Sequence, residues 1–215
     1  LSSSSAASDV YKRQPENSPT LLYGYGSYGI SIPPSFSASR LSLIDRGMVY
    51  AIAHIRGGMD KGKKWYQDGK KKKKINTFED FICSALYLKK ERISGEISIH
   101  GGSAGGLLVG ATLNIRPDIF KAAVAEVPFV DVLNTILDDT LPLTPPEWEE
   151  WGNPIKNIED FQYISSYSPY DNIKEQDYPT LLVTSGLTDP RVTYWEATKW
   201  VAKLRDKKTD TNPLF

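Results

Sequence analysis

The feature that most constrains the fold is a regular alternation of short apolar runs with longer helical patterns. The predicted strands are rich in β-branched or aromatic residues: Leu21–Tyr25, Met48–Ile55, Ile97–Gly101, Ala122–Pro128 and Thr180–Ser185. The clearest predicted helices are Thr77–Lys90, Ala104–Ile115 and Tyr194–Lys207. This alternation is typical of a parallel sheet flanked by helices. We therefore predict an α/β fold with a mostly parallel sheet.

Two local patterns predict helix ends. Thr77-Phe78-Glu79-Asp80 is close to a capping box and predicts the start of the first helix. Arg116-Pro117 predicts the end of the second, because the residue before a proline is disfavoured in a helix.

Residues 131–167 interrupt the alternation. The segment is rich in proline, tryptophan and acidic residues, and we predict an irregular insertion over the edge of the sheet, outside the core. Asn212–Phe215 are typical of the start of another strand. Residues 15–215 are therefore expected to be a partial domain, incomplete at the carboxyl terminus. Residues 1–14, which open with a serine run and lack a secretory pattern, are interpreted as a non-native leader.

Charge and composition exclude several classes of protein. The 26 basic and 26 acidic residues balance, so no global field recruits nucleic acid or an anionic membrane. No apolar run reaches the roughly 20 residues that span a bilayer. The single cysteine, Cys83, excludes an internal disulfide and is interpreted as a small buried side chain. Lys70–Lys74 is interpreted as a solvated loop, with a docking patch for an acidic partner as the alternative.

The strongest local motif is His100-Gly101-Gly102-Ser103-Ala104-Gly105-Gly106. It contains G-x-S-x-G between an apolar strand and an apolar helix, the context that a nucleophile elbow requires. Such a turn exposes the Ser103 hydroxyl at the carboxyl end of its strand. It also points the Ala104 amide, at the helix amino terminus, to the place where an oxyanion would form. The alternative, a glycine-rich turn selected only for close packing, is less consistent with this context.

A serine nucleophile needs a base, and the base needs an orienting acid. Asp189 follows the last predicted strand and is in the right place for the acid, although a turn aspartate before proline fits this position equally well. The sequence holds two histidines, His54 and His100. Both precede Ser103, which is the wrong chain order for a triad built on this elbow. We predict that both are packed or hydrogen-bonded strand residues, and that the chain has no general base.

Several motifs together resemble the prolyl oligopeptidase family. They are Leu22–Tyr28, Ile55–Gly58, the Gly-Gly-Ser-Ala-Gly-Gly elbow and Ser168–Asn172, and the resemblance runs from about Leu21 to the end. Trp151–Pro154 and Tyr194–Trp200 are most similar to the oligopeptidase B branch. The resemblance implies an α/β-hydrolase fold that cleaves short peptides, with a β-propeller domain in the full-length parent. It implies no metal or organic cofactor, and a cytoplasmic location is the default, with a periplasmic one left open.

The resemblance also implies roles for single residues. Ser103 is the nucleophile and Asp189 the acid, while the Tyr25 hydroxyl joins the Ala104 amide in binding the oxyanion. Arg191 matches a position that binds a substrate backbone carbonyl. The histidine is expected beyond Phe215, so we predict that the 215-residue chain is inactive as it stands.

Glu147 and Glu149 resemble the glutamate pair with which oligopeptidase B holds the arginine or lysine before the scissile bond. Two carboxylates suit a guanidinium through charge-assisted hydrogen bonds. Thr144-x-x-Glu147 is also a capping box with a proline at the first helical position. Residues two apart diverge on a regular helix, so both glutamates can face one pocket only if the segment is irregular or recessed. Residues 31–35 carry no acid, so a preference for dibasic sites is not predicted.

Three functions follow. The leading hypothesis is a serine endopeptidase that cuts short peptides after Arg or Lys through a Ser103 acyl-enzyme. A prolyl-specific peptidase is the alternative within hydrolases, and the acidic segment around Glu147 argues against it. The third is a catalytically inert α/β-hydrolase module that binds a partner.

Overall fold

A five-stranded parallel sheet forms the centre of the protein. The computed structural model describes residues 16–215, and the predicted leader lies outside that range. The strand order is β2-β1-β3-β4-β5, which places β3 in the middle. All four pairings are parallel. The strands are β1 Ser18–Tyr23, β2 Val49–Ile52, β3 Ser94–Gly102, β4 Ala122–Glu126 and β5 Thr180–Thr184.

Within the described range the chain also forms eight α-helices and two short 3₁₀ helices. The α-helices are α1 Ala38–Ile44, α2 Lys63–Gln67, α3 Ile75–Lys90, α4 Ala104–Ile115, α5 Val132–Leu137, α6 Thr144–Trp151, α7 Ile158–Tyr167 and α8 Tyr194–Lys207. The 3₁₀ helices are Lys71–Lys73 and Pro117–Ile119. The bounds predicted for α4 and α8 are confirmed, including the stop before Arg116-Pro117.

The predicted capping box of α3 is wrong. The helix begins two residues earlier, at Ile75, and Thr77 lies inside its first turn. The Thr77 hydroxyl donates to the carbonyl of Gly69 (3.2 Å) instead of capping its own helix. A buried contact with a neighbouring loop has therefore replaced the local cap.

The core lies between the sheet and the helices α3 and α4, and side chains of α5 to α8 complete it. One row of directly paired residues crosses all five strands, and each member is at most 8% exposed: Ala51, Leu22, Ile99, Ala123 and Leu181. Helix α4 is apolar on all sides and buries eleven of its twelve residues. A helix of this kind belongs inside a domain. The packing fixes the carboxyl ends of β1, β3 and β4 beside one another.

The prediction of an irregular segment at 131–167, outside the core, was wrong. The segment folds into α5, α6 and α7. It buries large side chains in the core, among them Ile136, Trp151 and Ile164, each at most 1% exposed. Proline at the first turns of α6 is compatible with helix, because those backbone N–H groups have no intrahelical acceptor.

Two further predictions are corrected. Cys83 is exposed, because it lies on the solvent side of α3 while Phe78, Phe81 and Ala85 face the core. Lys74 is only 1% exposed and is not part of a solvated loop. Its ammonium donates to the Gly26 carbonyl (2.6 Å) and to Ser27 Oγ (2.7 Å).

The last residues, Leu214 and Phe215, pair with β5 and begin a further strand at the edge of the sheet. Leu214 forms a parallel bridge with Leu181 of β5, and Val183 N–H donates to the Phe215 carbonyl (2.9 Å). This agrees with the strand predicted there. Over residues 16–215, none of the helices has the length and apolar character needed to cross a bilayer.

Candidate active site

The sharp turn between β3 and α4 has the backbone predicted for a nucleophile elbow. Ser103 sits between the last residue of β3 and the first residue of α4, with φ 55° and ψ −118°. A positive φ is strained for a residue other than glycine and is found where the surrounding structure enforces it. Here Ser103 N–H donates to the Glu126 carbonyl (2.9 Å), and the Ser103 carbonyl accepts from Phe129 N–H (3.1 Å). The neighbouring strand and its following loop therefore hold the turn.

Two glycines make this turn possible. A Cβ on Gly101 would lie 2.2 Å from the Gly105 carbonyl oxygen. A Cβ on Gly106 would lie 2.4 Å from a side-chain carbon of Pro128. Strand, turn and helix can approach this closely only without side chains at these positions. The Ala104 N–H is among the first four of α4, which have no intrahelical acceptor, and it is available to a ligand oxygen.

Ser103 opens into a cavity of about 260 Å³. The walls come from residues 25–30 after β1, from Phe129 after β4, from residues 135–147, and from residues 190–193 after β5. Most wall side chains are apolar, and the charged ones are Glu147 and Arg191. The cavity lies at the carboxyl ends of the parallel strands, where open α/β sheets bind ligands. The structure thus brings Ser103, Tyr25, Arg191 and Glu147 around one space.

Tyr25 enters this space directly after β1. Burial raises the pKa of its hydroxyl, and the nearby Tyr23, Glu147 and Glu150 raise it further. The hydroxyl therefore stays protonated at neutral pH and can donate a hydrogen bond to a developing negative charge.

Asp189 lies in the loop that follows β5, just outside the cavity walls. Its Oδ1 accepts the backbone N–H groups of Arg191 (2.8 Å) and Val192 (3.0 Å). These two hydrogen bonds lower the pKa of the carboxyl, so it is ionised at neutral pH. Within residues 16–215 no donor contacts Oδ2, which leaves that oxygen able to accept an imidazole N–H.

Neither histidine is placed as a base for Ser103. His54 Nδ1 lies 2.7 Å from Asp60 Oδ1, beyond the end of β2. His100 lies within β3 and packs edge-on against Tyr23, with ring centroids 5.3 Å apart. Its Nε2 is 3.0 Å from Glu126 Oε2 but without the alignment of a hydrogen bond. Both histidines are packed or hydrogen-bonded, as predicted, but only His100 is a strand residue, because β2 ends at Ile52, before His54.

Glu147 presents a carboxylate in the cavity wall. Its Oε2 accepts two hydrogen bonds, from the Tyr28 hydroxyl (2.8 Å) and from Trp151 Nε1 (2.7 Å). Both donors are rigid aromatic groups, and Trp151 is itself 1% exposed. The carboxylate is therefore held in one orientation beside the space that Ser103 faces.

The expectation that Glu149 shares this pocket needs correction. Helix α6 is regular, so residues two apart point in different directions. The Glu149 side chain is 87% exposed and contacts Lys71 (3.2 Å) outside the cavity. The carboxylate on the same face as Glu147 is Glu150, three residues on, which is 4% exposed. Sequence reasoning missed Glu150, and the helical spacing of α6 is the signal that could have found it, had residues 144–151 been predicted as a helix.

A second buried glutamate, Glu196, connects the loop that carries Asp189 to the cavity wall. It is fully buried in the first turn of α8, and it accepts from Val130 N–H (2.9 Å), Asp131 N–H (3.0 Å) and Thr135 Oγ1 (2.7 Å). Burial raises the pKa of Glu196 to about 7, although these hydrogen bonds oppose the rise. Because Glu196 N–H also donates to the Thr193 carbonyl (3.0 Å), Glu196 links residues 190–193 to the wall at Thr135.

The sequence is similar to one family of peptidases over most of its length. A sequence model described as the prolyl oligopeptidase family matches residues 34–215. Protease 2 from Moraxella lacunata is 51% identical over 198 residues, covering 91% of this chain and 29% of that protein. Dipeptidyl aminopeptidase BI from Pseudoxanthomonas mexicana is 52% identical over 198 residues, covering 91% and 27%.

Solved structures agree with the sequences. The structure of oligopeptidase B from Leishmania major is 53% identical, with a TM-score of 0.89, and covers 94% of this chain and 28% of that one. Oligopeptidase B from Trypanosoma brucei, solved in a closed form with covalently bound antipain, is 55% identical with the same TM-score, covering 92% and 28%. The chain therefore spans less than a third of the length of the proteins it matches.

Proposed function

Because this chain belongs to the prolyl oligopeptidase family and has its α/β-hydrolase sheet, we propose that it carries the nucleophile and substrate pocket of a serine peptidase that cuts short peptides after Arg or Lys. The observation that carries the proposal is the cavity itself. A serine held on a strained elbow opens into one end of it, and a fixed carboxylate lies in its wall.

The chemistry assigned to these residues is acyl transfer. Ser103 Oγ attacks the scissile carbonyl carbon and gives up its proton to a histidine base. The oxyanion accepts hydrogen bonds from the Tyr25 hydroxyl and the Ala104 N–H, both fixed before substrate arrives. Expulsion of the amine leaves an acyl-enzyme on Ser103, and water then releases the acid. Arg191, also in the cavity wall, is assigned to a backbone carbonyl of the substrate.

The basic preference is assigned to Glu147. Its Oε2 is occupied by two donors, so Oε1 is left for the cationic side chain of the substrate. The apolar walls, such as Ile136 and Leu143, suit the methylene stem of Arg or Lys. Proline would use those walls but would leave Glu147 Oε1 without a partner, which is costly in a cavity.

The histidine base is assigned to sequence outside these 215 residues. Asp189 Oδ1 is bound by two loop amides, and Oδ2 is left to orient that imidazole. We therefore propose that the 215-residue chain does not turn over peptides, and that the full-length protein does. A β-propeller in the same polypeptide and a cytoplasmic location belong to this proposal.

The experiment compares the full-length gene product with the 215-residue chain on four matched fluorogenic peptides. The residue before the scissile bond is Arg, Lys, citrulline or Pro. The proposal expects turnover by the full-length protein only, with Arg and Lys far above the other two. Preference for Pro would favour the prolyl-specific alternative, and a full-length protein without turnover would favour the inert binding module.

A further inference from the structure

Glu150, the second carboxylate on the inner face of α6, does not line the cavity. Taking the proposed function as its premise, we propose that Glu150 is a positioning residue for specificity. It acts through Tyr28 to hold Glu147 in the orientation that binds a guanidinium. The substrate cation contacts Glu147. Glu150 holds Tyr28 in position, and Tyr28 in turn orients Glu147.

Tyr28 is the link between the two glutamates. Its backbone N–H donates to Glu150 Oε1 (3.0 Å), and its side-chain hydroxyl donates to Glu147 Oε2 (2.8 Å). Tyr28 has φ 58°, in the left-handed region that a tyrosine rarely occupies. Such a backbone is strained and persists only where neighbours enforce it. Here the hydrogen bond from Tyr28 N–H to the buried Glu150 carboxylate enforces the left-handed backbone.

Glu150 is itself fixed from behind. Its Oε2 accepts the Tyr66 hydroxyl (2.6 Å), and Lys70 Nζ donates to that hydroxyl (3.0 Å). The hydroxyl of Tyr66 stays protonated, because burial and Glu150 both raise its pKa. Glu150 therefore has a donor on each oxygen, as a buried carboxylate requires.

The loop of residues 26–28, which carries Tyr28, is held from a second side by Lys74. The Lys74 ammonium donates to the Gly26 carbonyl and to Ser27 Oγ, directly before Tyr28. It also lies over the ring of Trp151, 4.9 Å from the centroid. Trp151 packs edge-on against Tyr28 (5.7 Å) and donates to Glu147. Tyr28 is itself 37% exposed, so these contacts, and not burial of its own ring, hold it in position.

The consequence concerns selectivity for charge. If Tyr28 is released, Glu147 loses one of its two donors and can rotate away from the cation. Binding of a neutral side chain of the same shape does not depend on that orientation. Loss of Glu150 is therefore expected to reduce the preference for arginine over citrulline, and to leave citrulline binding unchanged.

The test uses the 215-residue chain and needs no turnover. The dissociation constants of N-acetyl-arginine amide and N-acetyl-citrulline amide are measured by NMR titration. The unsubstituted chain is expected to prefer arginine by roughly tenfold or more, the size of one charge-assisted hydrogen bond. Glu150→Ala is expected to lose most of this preference. Glu150→Gln keeps an acceptor for Tyr28 N–H and is expected to retain it within about twofold.

Two variants keep the result interpretable. Tyr28→Phe removes only the hydroxyl that contacts Glu147, so it is expected to lower the preference even if Glu150→Ala fails to fold. Glu159→Gln is the matched control, because Glu159 is an exposed glutamate paired with Lys72 outside the cavity. An unsubstituted chain without arginine preference overturns the proposed specificity. A chain that prefers arginine equally well with Glu150→Ala and Tyr28→Phe overturns the role of Glu150, and so does a variant that weakens both ligands equally.

Discussion

The elbow at Ser103 and the segment 131–167 serve the same cavity but are encoded differently. The elbow is local: a strand, a glycine-flanked serine and a helix are consecutive in the chain. Its pattern could be read directly from Gly101 to Gly105. The segment 131–167 builds one wall of the cavity through contacts distant in sequence, such as Tyr28 with Glu147 and Tyr28 with Glu150. The comparison shows that the elbow with its candidate nucleophile can be found from a motif, whereas the wall of the cavity depends on tertiary packing.

The largest expected effect separates chemistry from folding at the elbow. In the full-length gene product, Ser103→Ala is expected to lower turnover by roughly 10⁶-fold, because the nucleophile is lost. The midpoint of thermal unfolding is expected to change little, since the side chain is small. Ser98→Ala, on the same strand, is the control and keeps turnover. Residual turnover near that of the unsubstituted enzyme would place the nucleophile elsewhere.

The next effect tests whether segment 131–167 is core. Trp151→Ala is expected to lower the free energy of unfolding by about 3–5 kcal/mol, because a fully buried aromatic side chain is removed. Trp195, on the surface of α8, is 45% exposed, and Trp195→Ala is expected to cost about 1 kcal/mol or less. Urea denaturation of the 215-residue chain measures both. Equal costs would mean that the segment lies over the sheet as an insertion, as the sequence had suggested.

The third effect concerns Lys74, beneath the loop that joins the two regions. Burial lowers the pKa of Lys74 from 10.5 to about 7 in the folded chain. Between these values the unfolded chain binds more protons, so stability rises with pH over this interval and the burial cost is fully present below it. Lys74→Met removes this rise, which is on the order of 2 kcal/mol between pH 7 and 9.

Urea denaturation of the unsubstituted chain and of Lys74→Met at pH 7, 8 and 9 measures the difference. Lys73→Met is the control, because Lys73 is exposed and contacts Asp68. Parallel pH profiles for the Lys74→Met and unsubstituted chains would show that the folded ammonium titrates normally.

The sheet was predictable because parallel strands and their helices repeat one simple pattern. The strands β3, β4 and β5 and the helices α4 and α8 lie at or within a few residues of their predicted bounds. The capping box at Thr77 failed because a local motif competed with a buried contact to Gly69. Lys74 could not be distinguished from Lys70–Lys73 by composition, because its burial depends on Gly26, Ser27 and Trp151.

The residues of the candidate site also fall into two groups: some are placed by the sheet topology, and others by tertiary contacts. Ser103 and Asp189 follow strands, so the topology brings them to one edge of the sheet. Glu147 and Glu149 were paired by resemblance, and the helical geometry of α6 separates them. The proposed roles of Glu150 and Tyr28 could not be inferred from the sequence. They depend on contacts between residues far apart in the chain: Tyr28 and Glu150 are 122 residues apart, and Tyr28 and Glu147 are 119 apart.

The most direct test of the account compares Glu147→Gln with Glu149→Gln in the full-length gene product. The measured quantity is the ratio of kcat/KM for an Arg substrate to that for its citrulline analogue. Glu147→Gln is expected to lower this ratio by about 10- to 100-fold, because a charge-assisted contact is lost. Glu149→Gln is expected to leave it within about twofold, because that side chain lies outside the cavity. An equal loss in the two variants would contradict the account, since both carboxylates would then face the substrate.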